Sequence, residues 1–123
     1  QERHGIRSIL IIEDEPDLAE LWCEYLRMRG HKVRVCGSLR ALRDCLEEGD
    51  EPDLAFVDWS LPDATGAEVA SLLQERMPGC KIVAATGLAP AATQLSGVDM
   101  VLTKPFKITR LHEVVLELTD DAR

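Results

Sequence analysis

The sequence lacks Cys-x-x-Cys pairs, clustered histidines, a basic segment and any long apolar run. Its four cysteines are widely spaced, which argues against a zinc site. Cys23, Cys36 and Cys45 fall within apolar patterns and are predicted to be buried, reduced thiols. No segment is long and apolar enough to span a bilayer, and no signal-peptide pattern is visible. We therefore expect a cytoplasmic location without membrane contact.

Positive charge is also scarce. The chain has 14 Lys and Arg residues against 22 Asp and Glu residues, a formal net charge of -8. Nucleic-acid backbones attract clustered Lys and Arg side chains, so we expect no direct binding of this chain to nucleic acid. The acid excess could attract a basic partner surface, but the simpler interpretation is that it favours solubility.

Short apolar runs alternate with amphipathic stretches along the 123 residues, of which 46% are hydrophobic. This length predicts a single domain over residues 1–123. The alternation predicts an α/β fold, a flavodoxin-like doubly wound parallel sheet of order 2-1-3-4-5 with about five helices. The predicted strands are Ser8–Ile12, Lys32–Cys36, Pro52–Val57, Lys81–Ala85 and Asp99–Leu102.

The fourth helix, between the last two strands, is predicted to be short. The stretch from Leu88 to Gly97 must contain all of it, and Pro90 lies within that stretch. Proline is tolerated only in a first turn, and glycine weakens a helix interior. At most about two turns can form there, roughly 10 Å at about 1.5 Å per residue.

Acidic and basic side chains follow the predicted strands at the points where they end. Glu13 and Asp14 follow the first strand, Asp58 the third, and Lys104 the fifth. Because parallel strands end at one edge of a sheet, these groups can converge on one small site. Carboxylate oxygens suit a hard cation such as Mg²⁺, and a lysine suits a phosphoryl group.

The order and spacing of these residues resemble the receiver domain of two-component response regulators, over about residues 8–118. The resemblance implies that Glu13 and Asp14 hold Mg²⁺, together with Asp58 and the backbone carbonyl of Ser60. It also implies that Asp58 accepts a phosphoryl group from a histidine kinase. This would make the chain a phosphorylatable signalling domain rather than an enzyme.

Two further residues gain roles from the same resemblance. Thr86, at the end of the fourth strand, would bond the phosphoryl group, and Lys104 would pair with it. The peptide bond before Pro105 would be cis. The implied partners are a histidine kinase or a histidine phosphotransfer protein, and an output domain or downstream protein. A stand-alone receiver, a hybrid-kinase segment and a fragment of a transcription factor all fit.

The sequence departs from the family at Val101, where receivers usually carry Tyr or Phe, so the readout of phosphorylation is expected to be atypical. A pseudo-receiver that binds proteins without phosphorylation is therefore an alternative. A phosphatase with an aspartyl intermediate would need an acid where Ser60 stands. A nucleotide-binding flavodoxin-like protein would need a glycine-rich loop where Glu13 and Asp14 stand.

Overall fold

The computed structural model describes residues 7–87 and 96–119. Its strands are β1 (Ser8–Ile12), β2 (Lys32–Cys36), β3 (Leu54–Asp58), β4 (Lys81–Thr86) and β5 (Met100–Thr103). Its helices are α1 (Pro16–Met28), α2 (Leu39–Glu47), α3 (Gly66–Arg76) and α4 (Thr109–Thr119). All strand pairs are parallel and the sheet order is β2-β1-β3-β4-β5, which confirms the predicted α/β topology.

The number of helices differs from the prediction. The two described ranges contain four helices, whereas about five were expected. The additional helix was predicted between Leu88 and Gly97, and residues 88–95 lie outside the described ranges. Among the described residues, no helix combines the length and the apolar character needed to cross a membrane.

Three strands extend further at their carboxyl ends than the apolar runs predicted. β3 includes Asp58 because that residue pairs with Ala85 of β4. β4 includes Thr86, and β5 includes Thr103, because these two residues pair with each other. The sheet therefore carries polar residues within its last paired positions, so backbone hydrogen bonds hold the ends that bear Asp58 and Thr86.

Strand alternation divides the core into two apolar clusters, one on each face of the sheet. Ile9 and Ile11 pack on the face covered by α1 and α4, and Leu10 and Ile12 pack on the face covered by α2 and α3. The continuous apolar run of β1 follows from this double coverage, because both faces of a central parallel strand are buried.

Local signals in the sequence set the starts of two helices. The Ser38 side chain accepts a hydrogen bond from the Ala41 N–H at 3.1 Å and caps α2. Thr65 caps α3 in a reciprocal arrangement, in which the Glu68 side chain accepts from the Thr65 N–H at 2.8 Å. Such caps satisfy backbone donors that a helix start leaves unpaired.

Candidate functional site

The carboxyl ends of four strands bring the predicted site residues to one edge of the sheet. Glu13 follows β1 directly, Asp58 ends β3, Thr86 ends β4 and Lys104 follows β5. Glu13, Asp58 and Thr86 are buried, with 3%, 6% and 8% of their surface exposed. Buried polar groups require partners, so this edge carries a concentrated set of charges and hydrogen bonds.

Three carboxylates form the centre of the site. One oxygen each from Glu13, Asp14 and Asp58 lies within 4.8 Å of the others. Glu13 and Asp58 are buried, whereas Asp14 is exposed to solvent. Like charges repel one another at this distance, and a hard divalent cation with oxygen ligands would relieve that repulsion. The donor set therefore fits Mg²⁺.

The Asp58 carboxylate experiences opposing influences. Burial, and after it the neighbouring acids Glu13 and Asp14, raises its pKa to about 7. The Ser60 N–H donates to Asp58 Oδ1 at 3.0 Å and lowers the pKa, because this hydrogen bond favours the charged form. The net effect is a pKa above the ordinary value of an aspartate, so the site without a cation favours the protonated form of Asp58 more than water does.

Lys104 contacts a different acid more closely than the sequence suggested. Its Nζ lies 3.0 Å from Glu13 Oε1 and 3.7 Å from Asp58 Oδ1. The resemblance implied that Lys104 pairs with a phosphoryl group on Asp58, and the shorter contact of the lysine in this structure is with the first-strand acid Glu13. Lys104 therefore neutralises two of the three clustered carboxylates rather than Asp58 alone.

The backbone around Lys104 is held by β4. The Lys104 N–H donates to the Thr86 carbonyl oxygen at 2.8 Å, so the lysine and the threonine are tied together through the main chain. The peptide bond between Lys104 and Pro105 is cis, as the resemblance implied.

Ser60 lies in the loop after β3, where its N–H bonds Asp58 and its backbone forms an isolated bridge with Thr65. The metal role of the Ser60 carbonyl and the phosphoryl role of Thr86 stay predictions.

Trp22 lies in the core and also contacts the site, which its sequence position does not predict. It is 3% exposed, but its ring centroid lies 5.7 Å from Lys104 Nζ, within the range of a cation–π interaction. Phe106 supports this ring at a centroid separation of 5.4 Å. The apolar periodicity of α1 signals burial, but nothing local signals which residue packs beside the loop after β5.

Trp59, next to Asp58, was expected to point away from it, and it packs with the cluster on the opposite sheet face. Its indole ring lies against Gly66, where an added Cβ would come within 2.1 Å of the ring. Gly66 is thus required by close packing at the start of α3.

The histidines are dispersed along the sequence, but the fold brings His31 and His112 into contact. His31 Nε2 lies 3.3 Å from His112 Nδ1, and the Arg7 N–H donates to His31 Nδ1 at 3.3 Å. Burial lowers the pKa of both imidazoles, and the contact with His112 lowers that of His31 further. This pair lies near the start of β2, away from the acidic site.

Comparison with known proteins agrees with the geometry. The family model described as the response regulator receiver domain matches residues 9–116. The chain is 30% identical over 115 residues to the probable transcriptional regulatory protein TcrX of Mycobacterium tuberculosis, covering 90% of this chain and 47% of the relative. It is 34% identical over 112 residues to the sensory transduction protein LytT of Bacillus anthracis, covering 88% of this chain and 45% of the relative.

Solved structures show the same similarity. The response regulator TrrA of Thermotoga maritima, determined in complex with Mg²⁺-BeF, matches with a TM-score of 0.81 and 25% identity, covering 92% of this chain and 99% of that chain. A CheY-like receiver domain protein of Methanospirillum hungatei matches with a TM-score of 0.85 and 25% identity, covering 92% and 93%. The chain spans about half the length of the two curated relatives. Its sequence and fold together place it in the response regulator receiver domain family, the signalling domains of two-component systems.

Proposed function

We propose that this chain is a single phosphoacceptor domain, residues 1–123 with a core of about residues 8–118, and that Asp58 is the acceptor. The donor is the phosphohistidine of a histidine kinase or a histidine phosphotransfer protein. Phosphorylation then changes how the domain contacts an output domain or a downstream protein. The observation that carries the proposal is the cluster of Glu13, Asp14 and Asp58 oxygens within 4.8 Å, with Lys104 Nζ beside it.

The transfer joins a carboxylate oxygen of Asp58 to phosphorus while the bond from phosphorus to the donor imidazole breaks. The product is an acyl phosphate, and the imidazole leaves. Asp58 must be ionised to attack, although burial raises its pKa to about 7. The Ser60 N–H and the Lys104 ammonium both favour the ionised form, because each places positive charge near Oδ1.

Mg²⁺ would be held by the side chains of Glu13, Asp14 and Asp58 and by the Ser60 carbonyl oxygen. The bound cation would neutralise negative charge on the phosphoryl oxygens, which is the main requirement of phosphoryl transfer. Lys104 supplies a second positive charge at the same place. Thr86, buried at the end of β4, is positioned next to Lys104 by the main chain and would bond a phosphoryl oxygen.

Intact-mass measurement after incubation with acetyl phosphate tests the proposal. The wild-type chain should gain one phosphoryl group in the presence of Mg²⁺ and little without it. Asp58→Asn should gain none, because an amide is not a nucleophile toward phosphorus. Asp53→Asn, at the other end of β3, is the matched control and should be labelled like wild type.

A pseudo-receiver gives a different result in the same experiment. It would take up no phosphoryl group even in the wild-type form, while still folding and binding its partner. Equal labelling of wild type and Asp58→Asn would instead remove Asp58 from its role and leave the family membership intact.

A further inference from the structure

Two buried thiols lie in contact at the junction of β2 and α2. Cys36 is the last residue of β2, and Cys45 lies on the inner face of α2. Their Sγ atoms are 2.9 Å apart, and the side chains share the apolar cluster between the sheet and α2. Both residues are almost fully buried, with 0% and 3% of their surface exposed.

The approach of these sulfur atoms is close to what a covalent bond between them requires. A disulfide bond is about 2.05 Å long, so the two atoms need to move together by less than an ångström. The residues are nine positions apart in the sequence. The connection between strand and helix, Gly37 and Ser38, is short and brings the two side chains to the same place.

The other two cysteines have different surroundings. Cys23 packs in the apolar cluster on the opposite face of the sheet. Cys80 shares the cluster of Cys36 and Cys45, but its thiol donates to the Lys81 carbonyl oxygen at 3.5 Å. Both are free thiols, as are Cys36 and Cys45. These two cysteines serve as internal references for ordinary buried thiols.

We propose that Cys36 and Cys45 form an intramolecular disulfide when the folded protein meets a peroxide oxidant, so that the pair is an oxidative modification site. The bond would join the carboxyl end of β2 covalently to α2. In the reduced protein the two residues are thiols packed in the core.

The reaction balances with hydrogen peroxide as the two-electron oxidant. One thiol is oxidised to a sulfenic acid, and the peroxide is reduced to water and transfers one oxygen to sulfur. The second thiol attacks that sulfur, the S–S bond forms and the S–O bond breaks. The sulfenic oxygen leaves as a second molecule of water, which carries the proton of the attacking thiol.

Burial sets the conditions for this reaction. Desolvation raises the pKa of Cys36, and the hydrogen bond with Cys45 raises it further. Because the thiolate is the reactive form, oxidation should be slow near neutral pH and faster as the pH rises. The neighbouring thiol compensates in the second step, since it is already in contact with the sulfur that it attacks.

The test treats the folded wild-type chain with hydrogen peroxide, removes the peroxide with catalase, alkylates the remaining thiols in denaturant, and maps the cysteines by peptide mass spectrometry. The expected product has lost two hydrogen atoms, contains a Cys36–Cys45 linked peptide, and keeps Cys23 and Cys80 alkylatable. A reducing agent should restore all four free thiols. This arm needs no variant and therefore does not depend on a mutant that folds.

Two variants sharpen the assignment. Cys45→Ala should abolish the linked product, whereas Cys80→Ala, in the same apolar cluster, should leave its yield unchanged. Four alkylatable thiols after treatment would overturn the proposal. So would a bond that involves Cys80, irreversible oxidation without a bond, or a Cys36–Cys45 bond that appears only in denaturant.

Discussion

Asp53 precedes β3 and Asp58 ends it, and the two carboxylates differ in their burial and in their contacts. Asp53 is exposed before β3, and its Oδ2 accepts the Ser8 N–H at 2.8 Å. Asp99, before β5, accepts the Ile82 N–H in the same way at 2.8 Å. Asp58 is buried beside Glu13. Asp53 and Asp99, at the amino edge of the sheet, accept backbone N–H groups away from the acidic cluster, whereas Asp58 accepts the Ser60 N–H while it lies beside other carboxylates.

This difference separates carboxylates that stabilise the fold from carboxylates that destabilise it in the absence of a cation. A carboxylate that accepts a backbone N–H lowers the free energy of the folded state. A buried carboxylate beside another raises it unless a cation is bound. Since the residue type is the same, the edge of the sheet and not the amino acid decides which case applies. Substitutions at the carboxyl edge should therefore change Mg²⁺ affinity, which those at the amino edge should not, and substitutions at the two edges should change the stability of the metal-free protein in opposite directions.

The largest difference should be in metal affinity. Asp14→Ala removes one of the three clustered oxygens and should weaken Mg²⁺ binding about 100-fold, since losing even an indirect metal contact costs about 10–100-fold. Asp99→Ala, at the other edge, should leave the affinity unchanged. Isothermal titration calorimetry measures both. Equal affinities for Asp14→Ala and wild type would remove Asp14 from the metal site.

The next difference should be in the sign of the stability change without metal. The folded-state pKa of Asp58 is raised from 3.8 to about 7, so its favourable contribution is fully present below pH 3.8 and is lost as the pH rises to about 7. Above that pH, Asp58→Asn should stabilise the metal-free protein, by roughly 2 kcal/mol, because each pKa unit corresponds to about 1.4 kcal/mol and the site is partly hydrated.

Asp99→Ala should have the opposite effect, because it leaves the N–H of buried Ile82 without its acceptor. The expected loss is about 1–3 kcal/mol. Urea denaturation of both variants in a chelator measures the two changes. If Asp58→Asn were also destabilising above pH 7, the contacts of Asp58 with Ser60 and Lys104 would outweigh its burial and the repulsion from the site acids.

Replacing the basic side chains Lys104 and Arg7, one at each edge of the sheet, should change stability by a smaller amount. Lys104→Met leaves the Glu13 carboxylate, which is 3% exposed, without its partner at 3.0 Å. Because Lys104 is itself partly exposed, we expect a loss of about 1–2 kcal/mol rather than the larger cost of breaking a fully buried pair. Mg²⁺ should restore much of this loss. Arg7→Met, which removes a bond to the Thr119 carbonyl oxygen, is the control that Mg²⁺ should not rescue.

The smallest effect should come from His31, near the start of β2. Its pKa is lowered from 6.5, first by burial and then by His112 and Arg7. The unfolded chain therefore binds a proton more readily, and His31 costs stability as the pH falls below 6.5, opposite to Asp58. His31→Gln should reduce this loss at acid pH, measured as the difference between thermal midpoints on the two sides of pH 6.5. An unchanged difference would exclude the histidine as its source.

The sequence predicted the elements better than the contacts among them. The apolar runs identified β1 and β2 with their observed bounds, and the polar residues that follow the strands identified the edge of the site. Burial of these runs is a local property of the sequence. The caps of α2 and α3, Ser38 and Thr65, are likewise local features of the sequence.

Contacts across the fold were not predictable in the same way. Lys104 pairs most closely with Glu13, which is 91 residues away in the sequence. The two residues meet because each follows a strand, β5 or β1, that ends at the same edge of the sheet. His31 contacts His112, which is 81 residues away in the sequence, because α4 packs beside α1. Pairings of this kind depend on strand register and helix crossing, which a single sequence does not display.

The packing around the acidic site also determines how the protein will emit light. The chain has two tryptophans, and both lie beside the site on opposite faces of the sheet. Trp22 faces the Lys104 ammonium, and Trp59 adjoins Asp58 with its indole on Gly66. Indole fluorescence responds to nearby charge and to hydration. Each single-tryptophan variant therefore carries one built-in optical reporter: Trp59→Phe keeps the indole beside Lys104, and Trp22→Phe keeps the indole next to Asp58.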